Sequence, residues 1–397
     1  MLVLLLLIGV QAAASAQSKS RSKRPTSKAK AAAQQTAFDD AVKLGEEART
    51  AGRLDDAIQA YSEAVRIRPQ WPDGWWYLGA LLYEKDLYPQ ARDAFKSLVT
   101  LEPKRGPAWG MLGLCQFQTR EYEPAVISLQ RGRSLGLDGN QELESVVRYH
   151  AAILYIRFEQ FEIGYEILRE FVRVNNFSPK IAEAFGIVIL RMPYLPNEVP
   201  TDKREKVLLA GQAGIGMATR RFDQARAAFD ALLDRYPSDA NVHYSFGVFQ
   251  LAQDADVALK EFQRALELDP RHQPSMVQMA FEYLKRDQYN DALPLAERAV
   301  QLSPKMYPAR NVLGRVLLEL GQIDRAVKEL EEGVRLAPSS PEMHFALARA
   351  YTRAGRKQDA DREREIFKTL QEKEKKQEDA AGTGSPPITN TQKPNPE

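Results

Sequence analysis

Apolar positions recur along this chain with helical spacing, and proline punctuates them at a fixed interval. Pro69 and Pro103 lie 34 residues apart, as do Pro270, Pro304 and Pro338, and Pro237 precedes Pro270 by 33. With each proline set at position 32 of its block, the same residue types return. Position 20 is Ala57, Ala91, Ala225, Ala292 and Ala326; position 24 is Tyr61, Phe95, Phe229 and Leu330. Position 8 is Gly45, Gly79 and Gly314, Trp75 and Trp109 hold position 4, and Leu78 and Leu112 hold position 7. Each type has a physical task. Small residues at 8 and 20 let two helices approach closely, while bulky ones at 4, 7 and 24 fill the space between helices of neighbouring blocks. Proline at 32 ends the second helix, because it cannot continue the hydrogen-bond ladder. The pattern therefore predicts two helices per block, stacked because one block cannot bury its apolar face alone.

Nine blocks fit, starting near Phe38, Pro72, Gly106, Ser145, Lys206, Ala240, Gln273, Tyr307 and Pro341. The fourth has Gly164 and Asn176 where alanine and proline are usual. The sixth is one residue short in its turn, which displaces Ala258. The array breaks once. Residues 179–191 read as an apolar helix carrying Gly186, with no second helix after it. Residues 192–201 follow instead and contain Pro193, Pro196 and Pro200, which forbid a regular helix. An unpaired helix there predicts two sub-solenoids, 38–176 and 206–373, joined by an inserted helix and Pro-rich elbow at 177–205. The Pro193-x-x-Pro196 spacing reads as a connector rather than a polyproline ligand. The last block ends in a polar helix, as a terminal repeat requires, and 374–397 is expected to be disordered.

This 34-residue helix–turn–helix pattern resembles the tetratricopeptide repeat family over residues 38–373. The resemblance implies an all-α fold, a right-handed superhelical solenoid interrupted by the extra helix and Pro-rich loop. It also implies a non-catalytic role in binding other proteins. In that family the first helices line a concave groove through positions 2, 5, 9, 12 and 13. Carried onto this sequence, the groove is apolar at Trp76, Tyr83, Phe117, Tyr149, Ile153, Tyr244 and Phe281. It turns polar and basic at Asn311, Arg315, Arg349 and Arg353. Aromatics on a concave wall anchor partner segments, and the arginines favour an acidic stretch. The lysine and asparagine with which some members grip a chaperone tail are absent: Val42 and Glu46, Trp76 and Ala80, and Gly110 and Leu114 stand there.

Composition narrows the chemistry. Among 397 residues, 55 Lys and Arg face 53 Asp and Glu, so net charge (+2) points to no nucleic-acid partner. The single cysteine, Cys115, excludes an internal disulfide and a cysteine-rich metal cluster, and reads as a buried thiol between Leu114 and Phe117. Four histidines (His150, His243, His272, His344) form no ligand pair and read as ordinary helix residues. The glycines of Gly211 to Gly216 match no phosphate loop and read as a site of close helix packing. The Asn176-Phe177-Ser178 sequon carries little weight before Pro179. No catalytic site, metal or cofactor is expected.

The first residues address the chain. Leu2 to Val10 are apolar and lead into Ala14-Ser15-Ala16, the form of a cleavable export signal over residues 1–16. Six basic residues from Lys19 to Lys30 follow without an acid, in a solvated linker expected over 17–37. The expectation is an exported scaffold, periplasmic or secreted, that binds a peptide or helix of a protein partner in envelope assembly or secretion. The alternatives are a subunit of an integral membrane complex, anchored by an uncleaved 2–16 segment, and a glycan-binding accessory protein.

Overall fold

The computed structural model describes residues 27–173 and 177–380. The export segment, residues 17–26 of the basic linker, Asn176 and residues 381–397 lie outside the described residues. Nineteen α-helices run through the described chain. In unit Met1–His150 these are α1 (Ser27–Thr50), α2 (Leu54–Ile67), α3 (Pro72–Glu84), α4 (Tyr88–Leu101), α5 (Gly106–Gln118) and α6 (Tyr122–Leu135). α7 (Gln141–Arg157) passes into unit Ala151–Glu397. That unit continues with α8 (Phe161–Arg173), α9 (Pro179–Ile189), α10 (Arg204–Ala218), α11 (Phe222–Arg235), α12 (Ala240–Gln250) and α13 (Ala255–Leu268). It closes with α14 (Gln273–Lys285), α15 (Tyr289–Leu302), α16 (Tyr307–Glu319), α17 (Ile323–Leu336), α18 (Pro341–Arg353) and α19 (Lys357–Ala380). No described helix is long and apolar enough to cross a membrane.

Within a repeat the two helices close on one contact. A Cβ on Gly79 would lie 2.9 Å from the ring of Phe95, and one on Gly247 2.6 Å from Phe262. Position 8 is thus cut away to admit the bulky side chain of the second helix, and Gly113 does the same for Leu129. The turn between the helices repeats as well. Position 15 is left-handed in Gly52, Gly321 and Gly355, and also in Asp86, Arg120, Glu159, Arg220 and Asp287. The amide of the following residue closes each first helix by reaching back five residues, as Glu121 N–H does to Gln116 O at 2.8 Å. The short sixth repeat lacks this turn; its Asp254 caps α13 through the side chain. Side chains at φ near +60° are strained. Arg120→Gly is therefore expected to stabilise the chain by roughly 0.5–1 kcal/mol after the entropy of a freer unfolded chain is deducted. Urea unfolding of the two proteins checks this, and a loss of stability would refute it.

Neighbouring repeats meet through positions 7 and 10 of the first helix. Both are buried in repeats two (Leu78, Leu81), three (Leu112, Cys115), six (Phe246, Phe249), seven (Met279, Glu282), eight (Leu313, Val316) and nine (Leu347, Ala350). The second helix of the preceding repeat packs on this first helix: α2 on α3, α4 on α5, α15 on α16, α17 on α18. In α2, α15 and α17 its own contribution is an aliphatic pair seven residues apart: Ile58 and Val65, Leu293 and Val300, and Val327 and Val334.

A polar bond crosses the same seam. The position-4 side chain donates to the carbonyl of the preceding position-32 proline. Trp75 reaches Pro69 at 2.8 Å, Trp109 reaches Pro103 at 3.0 Å, His243 reaches Pro237 at 2.9 Å, Arg310 reaches Pro304 at 2.8 Å and His344 reaches Pro338 at 2.9 Å. Where the second helix carries a glutamate beside it, position 4 is a side chain with two donors. His243 Nδ1 donates to Glu261 at 2.7 Å, Arg310 to Glu329 at 2.5 Å and His344 to Glu363 at 2.5 Å. Opposite the small Ala94 and Ser128 it is tryptophan.

Four expectations need correction. Residues 27–37 are not linker but the first turns of α1, because Ala31 to Gln35 are strong helix formers; Lys28 and Lys30 are exposed on it. Residues 374–380 likewise extend α19. And α9 is not unpaired, because it packs on α10 at backbone contact. A Cβ on Gly186 would fall into the Val207 carbonyl, and one on Gly211 into the Ala182 carbonyl. Gly214 faces Phe185 and Ile189, while Gly216 faces Ala225 of α11. The glycines let α10 serve two neighbours at once. The Pro-rich stretch between α9 and α10 holds only two three-residue 3₁₀ turns, Pro196–Glu198 and Thr201–Lys203. The chain divides within α7, not at this insertion.

Candidate partner-binding surfaces

In unit Met1–His150 the first helices present a set of half-buried aromatics. Trp76 on α3 meets Phe95 edge-on at 5.8 Å, and the Arg105 guanidinium lies 4.8 Å from its ring. Tyr83, in the last turn of α3, meets Tyr88 edge-on at 5.2 Å, and burial pushes its phenol above the usual value. Phe117 on α5 touches Tyr122 at 5.7 Å and His150 at 4.6 Å, and His150 meets Tyr149 at 5.5 Å. The structure thus joins Phe117 to Tyr149 through His150, and leaves Trp76 and Tyr83 in ring contacts of their own. Each of the four is partly exposed, with an apolar face held by packing. Arg105 and His150 belong to this surface and escaped the position rule, since neither occupies a concave position in the repeat. Cys115, buried behind it, has its thiol pushed up to about 12 by burial and is not a thiolate at neutral pH.

In unit Ala151–Glu397 three expected wall residues, Ile153, Tyr244 and Asn311, are interior. Ile153 is 3% exposed and Tyr244 is 7% exposed. Ile153 belongs to an apolar helical stripe that is core. Tyr244 is covered by the insertion. After α9, Arg191 takes a left-handed conformation (φ 48°), and its guanidinium lies 5.5 Å from the Tyr244 ring and 4.6 Å from the Phe161 ring. An ion pair to Glu162 at 2.7 Å holds it there. The Ser245 hydroxyl also reaches the Ile189 carbonyl at 2.5 Å, tying α12 to the end of α9. His272 lies against the same ring at 5.2 Å. Its Nε2 meets Asn241 Oδ1 at 3.0 Å, and its Nδ1 accepts from the Ser275 amide at 3.2 Å, capping α14. Burial, then the Arg191 charge, pull its pKa down to about 4.

The basic end is open. Phe281 on α14 is half-buried under the Arg315 guanidinium at 5.4 Å. Arg349 and Arg353 both bond Glu319, at 2.9 and 3.2 Å. Two guanidinium groups thus share one carboxylate, and the Arg315 charge lies close enough to feel both Arg349 and Glu319. Burial, and then Arg349, lower the pKa of Arg315. Asn311 is buried beside them, with an Oδ1 that has no hydrogen-bond partner. Glu319 occupies concave position 13 of its repeat, as Arg353 does of the next, but the expected basic end took in only the asparagine and the arginines there. Among the described residues no group of three His, Cys, Asp or Glu is placed to hold a metal ion.

Tetratricopeptide repeat models match residues 217–273 and 283–344, and a TPR repeat model matches 45–86. The chain is 27% identical over 142 residues to the general transcriptional corepressor trfA of Dictyostelium discoideum, covering 36% of this chain and 10% of that protein. It is 20% identical over 190 residues to the BBSome complex member BBS4 of Bos taurus, covering 39% and 35%. The chain therefore spans a tenth to about a third of the curated relatives it matches. Among solved structures, MamA from Desulfovibrio magneticus RS-1 (residue 41 to the end) aligns at 23% identity and a TM-score of 0.36, over 43% of this chain and 95% of that one. A MamA RS-1 double mutant aligns at 20% identity and a TM-score of 0.38, over 42% and 94%. Tetratricopeptide repeats generally mediate contacts between proteins, and their stacked helix pairs leave extended surfaces for that purpose. The 34-residue register, the glycine-notched helix hairpins and repeat models matched at three places along the sequence agree, and the chain belongs to the tetratricopeptide repeat family.

Proposed function

We propose that this protein is a non-catalytic scaffold that binds an extended or helical segment of a protein partner on the faces of its first helices. The observation that carries this reading is the set of half-buried aromatics Trp76, Tyr83, Phe117 and Tyr149, each packed on one side and open on the other. Large amphipathic rings of this kind dominate partner binding because they bury much surface at little entropic cost. The electrically unbalanced end at Arg315, Arg349 and Arg353 favours a partner with an acidic stretch. The protein works outside the cytoplasm, in envelope assembly or secretion; support for that is the apolar Leu2 to Val10 run before Ala14-Ser15-Ala16.

The test is a crosslinking pull-down from the native host with the full chain as bait, repeated with Trp76→Ala/Phe117→Ala. Recovery of the partner is expected to fall at least tenfold while circular dichroism shows the helices intact. Equal recovery by the double variant would remove the aromatic surface from the proposal. Intact mass of the bait reports in the same experiment whether residues 1–16 have been cleaved.

A further inference from the structure

Repeat five, formed by α10 and α11, follows no second helix. Its position-7 and position-10 residues, buried in the repeats on either side of a regular seam, are Gln212, exposed, and Ile215, half-exposed. Leu208, one turn before Gln212 on the same face, is 51% exposed. The first repeat, with no second helix before it among the described residues, shows the same signature: its position-7 residue, Leu44, is 59% exposed. On repeat five this face opens into a cleft of about 460 Å³ between α10 and α11, floored by Gly216, Ala228 and Ala231. All its lining side chains are uncharged.

We infer that this face is a docking site for one amphipathic α-helix from another protein, seated where the second helix of a preceding repeat would lie. The fold itself states what fits. On the α2–α3, α15–α16 and α17–α18 seams the occupant is an α-helix carrying an aliphatic pair seven residues apart, as Leu293 and Val300 or Val327 and Val334 do. The described residues do not supply one here. Only 14 residues separate the end of α9 from α10, they contain three prolines, and they form two 3₁₀ turns. A second copy is a poor match. Among the described residues the second helix without a successor is α19, and its corresponding positions are Asp361, Glu365 and Lys368, all exposed and charged. A charged face laid on an uncharged cleft leaves those charges desolvated and unpaired. The partner helix is therefore about 14 residues long, aliphatic at two positions seven apart, and polar on its outer side. This site is separate from the aromatic surface proposed above and stands or falls without it.

The probe is a library of hydrocarbon-stapled peptides on the frame of residues 323–336, randomised at the positions of Val327, Glu331 and Val334 and selected on the full chain. Binders are expected to keep aliphatic residues at the first and last of these positions. Their affinity should fall at least tenfold on Gln212→Arg and on Ala227→Arg, both exposed and on different helices, and should not change with Arg315→Gln. Failure to select binders, or binders indifferent to both cleft variants, would overturn the inference. A photocrosslinking residue at position 212 separates the other occupants. Adducts to residues 1–26 or 381–397 of the same chain, or to a second copy, would also overturn it, and adducts to the selected peptide support it.

Discussion

Gly186→Ala is expected to destabilise the protein by about 2–3 kcal/mol, although alanine ordinarily improves a helix interior by about 1 kcal/mol over glycine. The sign reverses because the new methyl would fall into the Val207 carbonyl of α10. A flexible side chain could swing aside, but a helix backbone cannot, so α9 and α10 must separate. That separation also disturbs Arg191 and the Ser245 bond to Ile189, which hold the insertion on α12. Gly211→Ala, which meets the Ala182 carbonyl from the other helix, should cost a similar amount. The double variant should cost less than the sum, because one separation relieves both clashes. Urea midpoints of the three variants, with Gln212→Ala on the exposed face of α10 as control, measure this. Unchanged or raised stability in Gly186→Ala would show that the two helices are not in backbone contact.

The second large effect is expected in acid. His272 must stay neutral, since its Nδ1 accepts from the Ser275 amide and a protonated ring offers no acceptor there. Its folded pKa of about 4 lies below the ordinary 6.5, so the neutral ring is favoured by folding. The stability this provides is complete above pH 6.5 and is lost as pH falls toward 4. The shift corresponds to about 3 kcal/mol. Asparagine at an N-cap also accepts from the helix amides and does not titrate. His272→Asn should therefore lose about 3 kcal/mol less than the parent between pH 6.5 and 4, whatever its stability at neutral pH. Parallel pH profiles of the two proteins would show that His272 does not set the acid limb.

Repeat boundaries were legible because they rest on local chemistry. Pro72, Gly106, Ala240, Gln273, Tyr307 and Pro341 begin the helices the register predicts for them. Proline ends helices and glycine admits a facing ring wherever they occur. The surfaces were less legible because they depend on what another part of the chain does. Tyr244 satisfies the concave-position rule, and only the path of the insertion decides that Arg191 lies on it. The packing of α9 on α10 had a signal in Gly186 and in the glycines of 211–216, read as a close-packing site, but the helix pattern left α9 without a partner. Two other signals were present in the register. Gln212 is the one polar residue at position 7 among the nine repeats, and it marks the uncovered face. His243 and His344 share position 4 with Trp75 and Trp109, which foretold a common hydrogen-bond partner better than their reading as ordinary helix residues did.

The position-4 bond has a bearing on which changes of length the chain can absorb. Its donor belongs to one repeat, the proline carbonyl to the repeat before, and the second acceptor to the helix after the turn. Gain or loss of a whole 34-residue block keeps all three in register, wherever the cut is made. Loss of a single residue keeps them only if it falls in the turn, where neither acceptor is attached. The sixth repeat is such a case. It is one residue short between α12 and α13, yet His243 still holds both Pro237 and Glu261. The same deletion placed between Pro237 and His243 would break the splice between two repeats rather than shorten a loop.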